Sequence, residues 1–228
     1  MCFNATTSIV TFVFSSVCSL LLLYNGFTYN NKNDILFGTI VILIGLMQLI
    51  EFFLWKNQKS NHIFSLFIII LLFLQIFITF IVYYTLYPFN KFFNNNSILF
   101  YLLSYTIFTI YLLYYLNQTT LHSKPSKKSC RLAWAPYTFL IQHNVPLLLI
   151  HLFLYFCGTI MIGIEFYKNA KNNYWVRSLY LPITFILCLF FVIANESSPI
   201  LSFSFIDVFG TVWCFTAVFL GIISLLHI

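Results

Sequence analysis

The feature that most constrains this chain is its series of long apolar segments, which isolated charged residues separate. A helix needs about 20 mostly apolar residues to cross ~30 Å of hydrocarbon. Seven segments meet this requirement, at residues 5–29, 35–55, 63–87, 97–116, 146–166, 178–194 and 205–227. A helix satisfies its own backbone in lipid, and the short alternating segments of a barrel do not occur in the sequence. The sequence therefore predicts an all-α integral membrane protein, a bundle of about seven transmembrane helices.

The composition excludes several classes of protein. Of the 228 residues 61% are hydrophobic and 7% are charged, whereas soluble domains carry about 25% charged residues. The net charge of +6 is scattered singly between apolar runs, unlike the basic stripe of a nucleic-acid reader. We therefore expect a single transmembrane domain over residues 1–228, with the lipid bilayer as its partner and no nucleic acid. The sequence also allows a homo-oligomer.

The longest connection, residues 117–145, is basic and aromatic. Its basic part is followed by Trp134, Tyr137 and Phe139, an aromatic patch that suits the membrane interface. An additional interfacial or re-entrant helix here is the alternative to a plain loop. Seven crossings place the amino terminus and this connection on one face, side A, and the carboxyl terminus on the opposite face, side B. Lysine and arginine are nearly balanced between the faces, so the positive-inside rule gives side A a small preference as the cytoplasmic face.

Ionisable side chains within a spanning helix are costly and are therefore candidates for function. Gln48 and Glu51 lie one turn apart on one face of the second predicted helix, and His151 and Asp207 lie at a similar depth near side A. This polar layer is our candidate proton-relay or cation site. The alternative is structural: Glu51 reaches the headgroups, Asp207 caps the last helix and His151 bonds a backbone carbonyl.

A metal site is a weaker hypothesis. Glu51, His143, His151 and Asp207 supply suitable donors, so zinc is conceivable. However, the two histidines are eight residues apart, which is not the spacing that places two imidazoles on one metal. No other cofactor is expected, and retinal is excluded because the seventh predicted helix contains no lysine.

Short motifs near both ends resemble an uncharacterised family of small multi-pass membrane proteins from bacteria and large DNA viruses. The motifs are the amino-terminal Met-Cys-Phe, Gln-x-x-Glu with a following Trp in the second helix, and a Trp-Cys-Phe box near the carboxyl terminus. The chain departs from the family pattern at Asn4, where Ser is usual, and at Phe52, where Gly is usual. The resemblance implies no reaction, but it marks six positions of interest, Cys2, Gln48, Glu51, Trp55, Trp213 and Cys214.

Three functions follow as expectations. The first is transport of protons, a small cation or a small solute through the side-A layer. The second is a metal-dependent membrane hydrolase that acts on lipid, and the third is a structural membrane protein of a virus. The balance of these expectations leans away from an enzyme. A viral origin, which the AT-rich codon bias toward Phe and Asn would suit, would place the protein in a host or virion membrane.

Overall fold

The computed structural model describes residues 4–56, 59–87, 95–125 and 132–169. This part of the chain is almost entirely helical. It also contains one antiparallel pair of strands, each two residues long. In chain order its elements are α1 (Ala5–Thr28), α2 (Lys32–Lys56), α3 (Asn61–Leu86), α4 (Asn95–Asn117), β1 (Lys124–Pro125), β2 (Leu132–Ala133), α5 (Ala135–His143) and α6 (Val145–Asn169).

Five of these helices, α1 to α4 and α6, are long and apolar enough to cross a membrane. They correspond to the first five predicted spans. The predicted spans 178–194 and 205–227 lie outside the described residues. The protein is thus an all-helical membrane protein with several spans.

Small residues let α1 and α2 pack closely. The Ser19 hydroxyl donates to the Gly38 carbonyl at 2.8 Å, across the two helices. A Cβ atom at Gly38 would lie 3.1 Å from the Ser19 carbonyl oxygen, and one at Gly45 would press on the Ser15 side chain. In lipid, helices associate through such close approach and interhelical hydrogen bonds, so the glycines of α2 specify its contact with α1.

The connection between α4 and α6 contains the additional helix that the sequence left as an alternative. Trp134 precedes α5, and Pro136 lies in its first turn, where a missing N–H costs nothing. Asn144 separates α5 from α6: its backbone N–H bonds the Leu140 carbonyl at 2.7 Å, and its side-chain oxygen accepts from the Leu147 N–H at 3.3 Å. One residue therefore ends the short helix and caps the long one.

The buried apolar residues of α2, α3, α4, α5 and α6 form one cluster. Hydrogen bonds at the helix ends show how these helices alternate. His62, at the start of α3, contacts Asn117 at the end of α4, and Tyr87, just after α3, bonds Asn33 at the start of α2. The end of α2, the start of α3, the end of α4, α5 and the start of α6 therefore share one side, which is side A.

Candidate functional site

A buried polar network holds the connection after α4 against the start of α3. The Asn61 amide donates to the Ser123 carbonyl at 2.9 Å and accepts from the Ser123 N–H at 2.7 Å. The Ser123 hydroxyl lies 2.7 Å from that of Ser65 and accepts from the Ala135 N–H at 3.0 Å. Asn61, Ser65 and Ser123 are all buried. Because the network ends on the first residue of α5, it fixes where α5 begins.

This fixed start places the Trp134 indole against Glu51. The indole Nε1 donates to Glu51 Oε1 at 3.2 Å, and both side chains are buried, with Glu51 1% exposed. Gln48, also 1% exposed, lies one turn away on the same helix, and its amide atoms have no hydrogen-bond partner among the described residues. Glu51 forms no ion pair with any residue that the structure describes. The carboxyl thus has neutral neighbours.

Aromatic rings surround His151, whose imidazole is fully buried. The rings of Tyr105, Phe108 and Tyr137 lie with their centroids 6.0, 6.5 and 6.0 Å from that of the imidazole. Neither imidazole nitrogen has a hydrogen-bond partner among the described residues, and the Tyr105 hydroxyl also has none there. Buried polar atoms are normally hydrogen-bonded, so unpartnered ones within a membrane bundle are unusual.

Deeper in the bundle, Gln75 of α3 connects α2 with α6. Its Nε2 donates to the Leu43 carbonyl of α2 at 3.3 Å, and its Oε1 accepts from the Tyr155 hydroxyl of α6 at 2.8 Å. A cavity of about 20 Å³ adjoins this junction, with Thr79 and Thr159 also in its wall. That volume is sufficient for one water molecule, and the wall offers hydroxyl and amide partners.

The opposite end of the bundle, side B, carries a second polar cluster. The Asn31 amide donates to Asp34 Oδ2 at 2.8 Å in the first turn of α2. The Tyr87 hydroxyl donates to Asn33 Oδ1 at 2.7 Å, and the Lys32 ammonium lies 5.3 Å from the Tyr87 ring centroid. Tyr87 follows α3, and burial raises its pKa to about 12. The phenol is therefore neutral, and can donate its hydrogen bond, at physiological pH.

The sequence-predicted site residues divide into three groups. Gln48 and Glu51 lie together, whereas His151 is separated from them by the rings of Trp134 and Tyr137, whose centroids are 5.7 Å apart. The other candidates are not part of this cluster or lie beyond the described residues. His143 is exposed and packs on Phe139 at 4.5 Å, Trp55 is half-buried against the core, and Asp207, Cys2, Trp213 and Cys214 lie outside the described residues.

The surroundings of Glu51 and His151 differ from those expected if both residues had only a structural role. Glu51 is buried and bonded to Trp134 instead of reaching the headgroups, and His151 bonds no backbone carbonyl in the described part of the chain. Sequence analysis also overlooked Gln75 and Asp34. A signal for Gln75 was present, since a glutamine and a threonine four residues later interrupt an otherwise apolar span. No signal pointed to Trp134 as the partner of Glu51, because 83 residues separate them.

The described part of the molecule contains few residues of the types that bind metals. Among residues 4–56, 59–87, 95–125 and 132–169, no three His, Cys, Asp or Glu side chains gather into a group. Glu51 and His151 are buried in separate surroundings. The described site is thus a set of protonatable and hydrogen-bonding groups.

Comparison of the chain with protein-family models, with curated proteins and with solved structures finds no match in any of the three. The resemblance to the small multi-pass membrane family stays a prediction.

Proposed function

We propose that this chain is a membrane transport protein that passes protons or a small cation through its side-A polar layer, with Glu51 as the titrating group. The observation that carries the proposal is the surroundings of the Glu51 carboxyl. It is 1% exposed, and its hydrogen-bond donor is a neutral indole. An intramembrane ionisable group is retained at a cost in free energy and typically marks an ion or proton pathway.

A purely structural role would be served better by an apolar residue. Burial of an ionisable group without an ion-pair partner costs free energy, and an apolar residue at the same place would not have this cost. The contact of Trp134 with Glu51 also gives the site a removable barrier, since Trp134 lies in the connection after α4, between a two-residue ladder and one short helix. Exchange of a proton or cation with side A would require a small movement of this connection.

The proposal includes the finer topology. The predicted spans 178–194 and 205–227 would complete a bundle of seven helices, and Asp207 would add a second carboxylate near side A. The amino terminus would face the cytoplasm. If the protein is viral, the bundle would lie in a host or virion membrane.

The test is ion flux in proteoliposomes. Purified wild type and Glu51→Gln would be reconstituted at equal density, with trapped dyes reporting proton and sodium entry under an imposed membrane potential. Glutamine keeps the size of the side chain and an oxygen that can accept from Trp134. We expect flux in the wild type and none in a folded variant. Equal flux in the two proteins would exclude Glu51 as the titrating group.

Elemental analysis of the same samples addresses the metal-dependent hydrolase. Wild type would be measured beside the double variant His151→Ala, Glu51→Gln. Stoichiometric zinc that disappears in the double variant would replace transport with the hydrolase as the leading hypothesis. If the metal-free protein carries flux, transport stays the leading hypothesis.

A further inference from the structure

Gln75 of α3 contacts a backbone carbonyl of α2 and a buried hydroxyl of α6. On α2, Leu43 lies five residues before Gln48, about 7.5 Å deeper along the helix, and its carbonyl accepts from Gln75. On α6, Tyr155 lies one turn deeper than His151 and donates to Gln75. The two contacts meet at one amide near the middle of the bundle, and the one from α6 is made by a polar side chain.

Further tyrosine side chains lie between α4 and α6 near Tyr155. The centroid of the Tyr105 ring lies 6.0 Å from that of Tyr101 and 6.0 Å from that of His151. The Tyr101 hydroxyl donates to the Leu154 carbonyl of α6 at 2.6 Å. The rings of His151, Tyr105 and Tyr101 thus lie beside one another, and neither His151 nor the Tyr105 hydroxyl forms a hydrogen bond within the described part of the chain.

From this junction a polar stripe continues along α3 toward side B. Gln75, Thr79, Tyr83 and Tyr87 recur at every fourth position, so each adjoins the next on the helix surface. The Thr79 hydroxyl donates to the Gln75 carbonyl, and the Tyr83 and Tyr87 rings lie 5.2 Å apart. Tyr87 then bonds Asn33 at side B. The rest of α3 between Ser65 and Gln75 is apolar, so the stripe begins at the contacts of Gln75 with α2 and α6.

We propose that Tyr155, the cavity beside Gln75 and the polar stripe that ends at Tyr87 conduct protons between the titrating groups near side A, Glu51 and His151, and the opposite face of the membrane. This inference rests on the proposed function and narrows the transported species to the proton. At each hydroxyl or water oxygen a proton arrives on a lone pair and another leaves from the same oxygen, so the group is unchanged after the step. Gln75 holds the oxygens in place and does not titrate.

The dimensions of the junction favour a proton over a metal cation. Selectivity in a membrane pathway follows from its width and from the hydrogen-bonding groups that line it. A cavity of about 20 Å³ holds one water molecule and no hydrated cation. Its wall contains no carboxylate among the residues that line it, which are Ile40, Leu43, Ile44, Gln75, Ile76, Thr79, Tyr155, Thr159 and Ile162. A bare cation there would lack both its water shell and a counter-charge.

The test compares proton and sodium entry into proteoliposomes for hydroxyl-deletion variants on the two sides of the junction. Tyr155→Phe and Tyr83→Phe remove one oxygen each and keep the ring. We expect each to lower proton entry at least about tenfold, because the missing oxygen interrupts the hopping sequence. Tyr114→Phe is the matched control, since Tyr114 is 68% exposed on α4, and its flux should stay within about twofold of wild type. Gln75→Leu is a further variant that removes both contacts at the junction.

The outcomes separate this inference from the proposed function. Proton entry that is lost in Glu51→Gln but kept in both Tyr155→Phe and Tyr83→Phe would overturn the pathway and leave Glu51 as the transport residue. Sodium entry as fast as proton entry would overturn the proton as the transported species. No entry of either ion with folded wild-type protein would overturn the proposed function and this inference together. Size-exclusion profiles and thermal unfolding in detergent establish which variants are folded.

Discussion

Helix α2 carries a buried carboxylate near each end, and the two are held in different ways. Asp34 lies in the first turn and accepts from Asn31, three residues earlier in the chain. Glu51 lies in the last turns and accepts from Trp134, on a connection that α3 holds in place. Asp34 is 4% exposed and Glu51 is 1% exposed, so burial alone does not distinguish them.

The helix dipole does distinguish them. Negative charge is stabilised at a helix amino terminus and destabilised at the carboxyl terminus, by about 0.3–1 kcal/mol at each end. Asp34 has the favourable position and a local partner, as expected of a residue that starts a helix. Glu51 lies five residues before the end of α2 at Lys56, beyond the reach of the dipole, and has a distant neutral partner. A carboxyl group that is buried without local stabilisation is the better candidate for function.

The strongest test of this contrast replaces the carboxyl group by an amide at each end of α2. We expect Glu51→Gln to lower flux at least about a hundredfold, since general acid–base groups typically contribute 10²–10⁴-fold. Asp34→Asn should keep flux within about twofold and lower stability by about 1 kcal/mol, because it weakens the start of a helix. The measurements are proton entry into proteoliposomes and unfolding in detergent. Equal loss of flux in the two variants would contradict the contrast.

Hydropathy predicts the five described spans closely, but it predicts their ends less well. Residues 35–55 were predicted for the second helix, whereas α2 is Lys32–Lys56. The added first turn contains Asp34, which the prediction left outside the membrane helix. An apolar window cannot detect this turn because the residues that start it, Asn31 and Asp34, are polar and act through hydrogen bonds.

The candidate site was predictable in part for a related reason. Gln48, Glu51 and His151 stand out as polar residues in apolar spans, and helix count alone places them near one side. Their partners do not stand out. Asn61 and Ser123 are ordinary polar residues in the sequence, and 62 positions separate them. Contacts of this kind depend on how helices pack, which no local pattern encodes.

A second test compares two asparagines, Asn61 at side A and Asn31 at side B, whose side chains form hydrogen bonds at the two ends of the bundle. Asn61→Ala leaves the Ser123 backbone N–H and carbonyl without a partner in a buried place, and each such group costs about 1–3 kcal/mol. We expect a loss of about 3 kcal/mol in unfolding free energy. Asn31→Ala removes a cap at a half-buried position and should cost about 1 kcal/mol. Chemical unfolding in detergent measures both losses. A larger loss of unfolding free energy in Asn31→Ala than in Asn61→Ala would contradict this prediction.

A third test removes the hydrogen bond to Glu51 and keeps the carboxyl. Trp134→Phe deletes the indole N–H, and a hydrogen bond to an ionisable group contributes about 1.5–3 kcal/mol. We expect a loss of about 1–2 kcal/mol in stability and a reduced flux, since Glu51 is still present. Trp55→Phe is the matched control, because this half-buried indole lies on α2 beside the same end of the bundle. Losses of equal size would show that ring packing, and not the hydrogen bond, accounts for the effect.

The smallest expected effect lies at side B and depends on pH. Tyr87→Phe deletes the bond to Asn33 and should cost about 0.5–1 kcal/mol at neutral pH. Burial raises the pKa of Tyr87 from 10.0 to about 12, so the folded protein holds this proton more tightly than the unfolded chain. Its contribution is complete below pH 10 and is lost as the pH rises from 10 to 12. Wild type should therefore lose stability over that interval faster than Tyr87→Phe, measured by thermal unfolding in detergent. Parallel curves for the two proteins would show that Tyr87 titrates as a solvated phenol, and the polar stripe of α3 would then end in water at this residue.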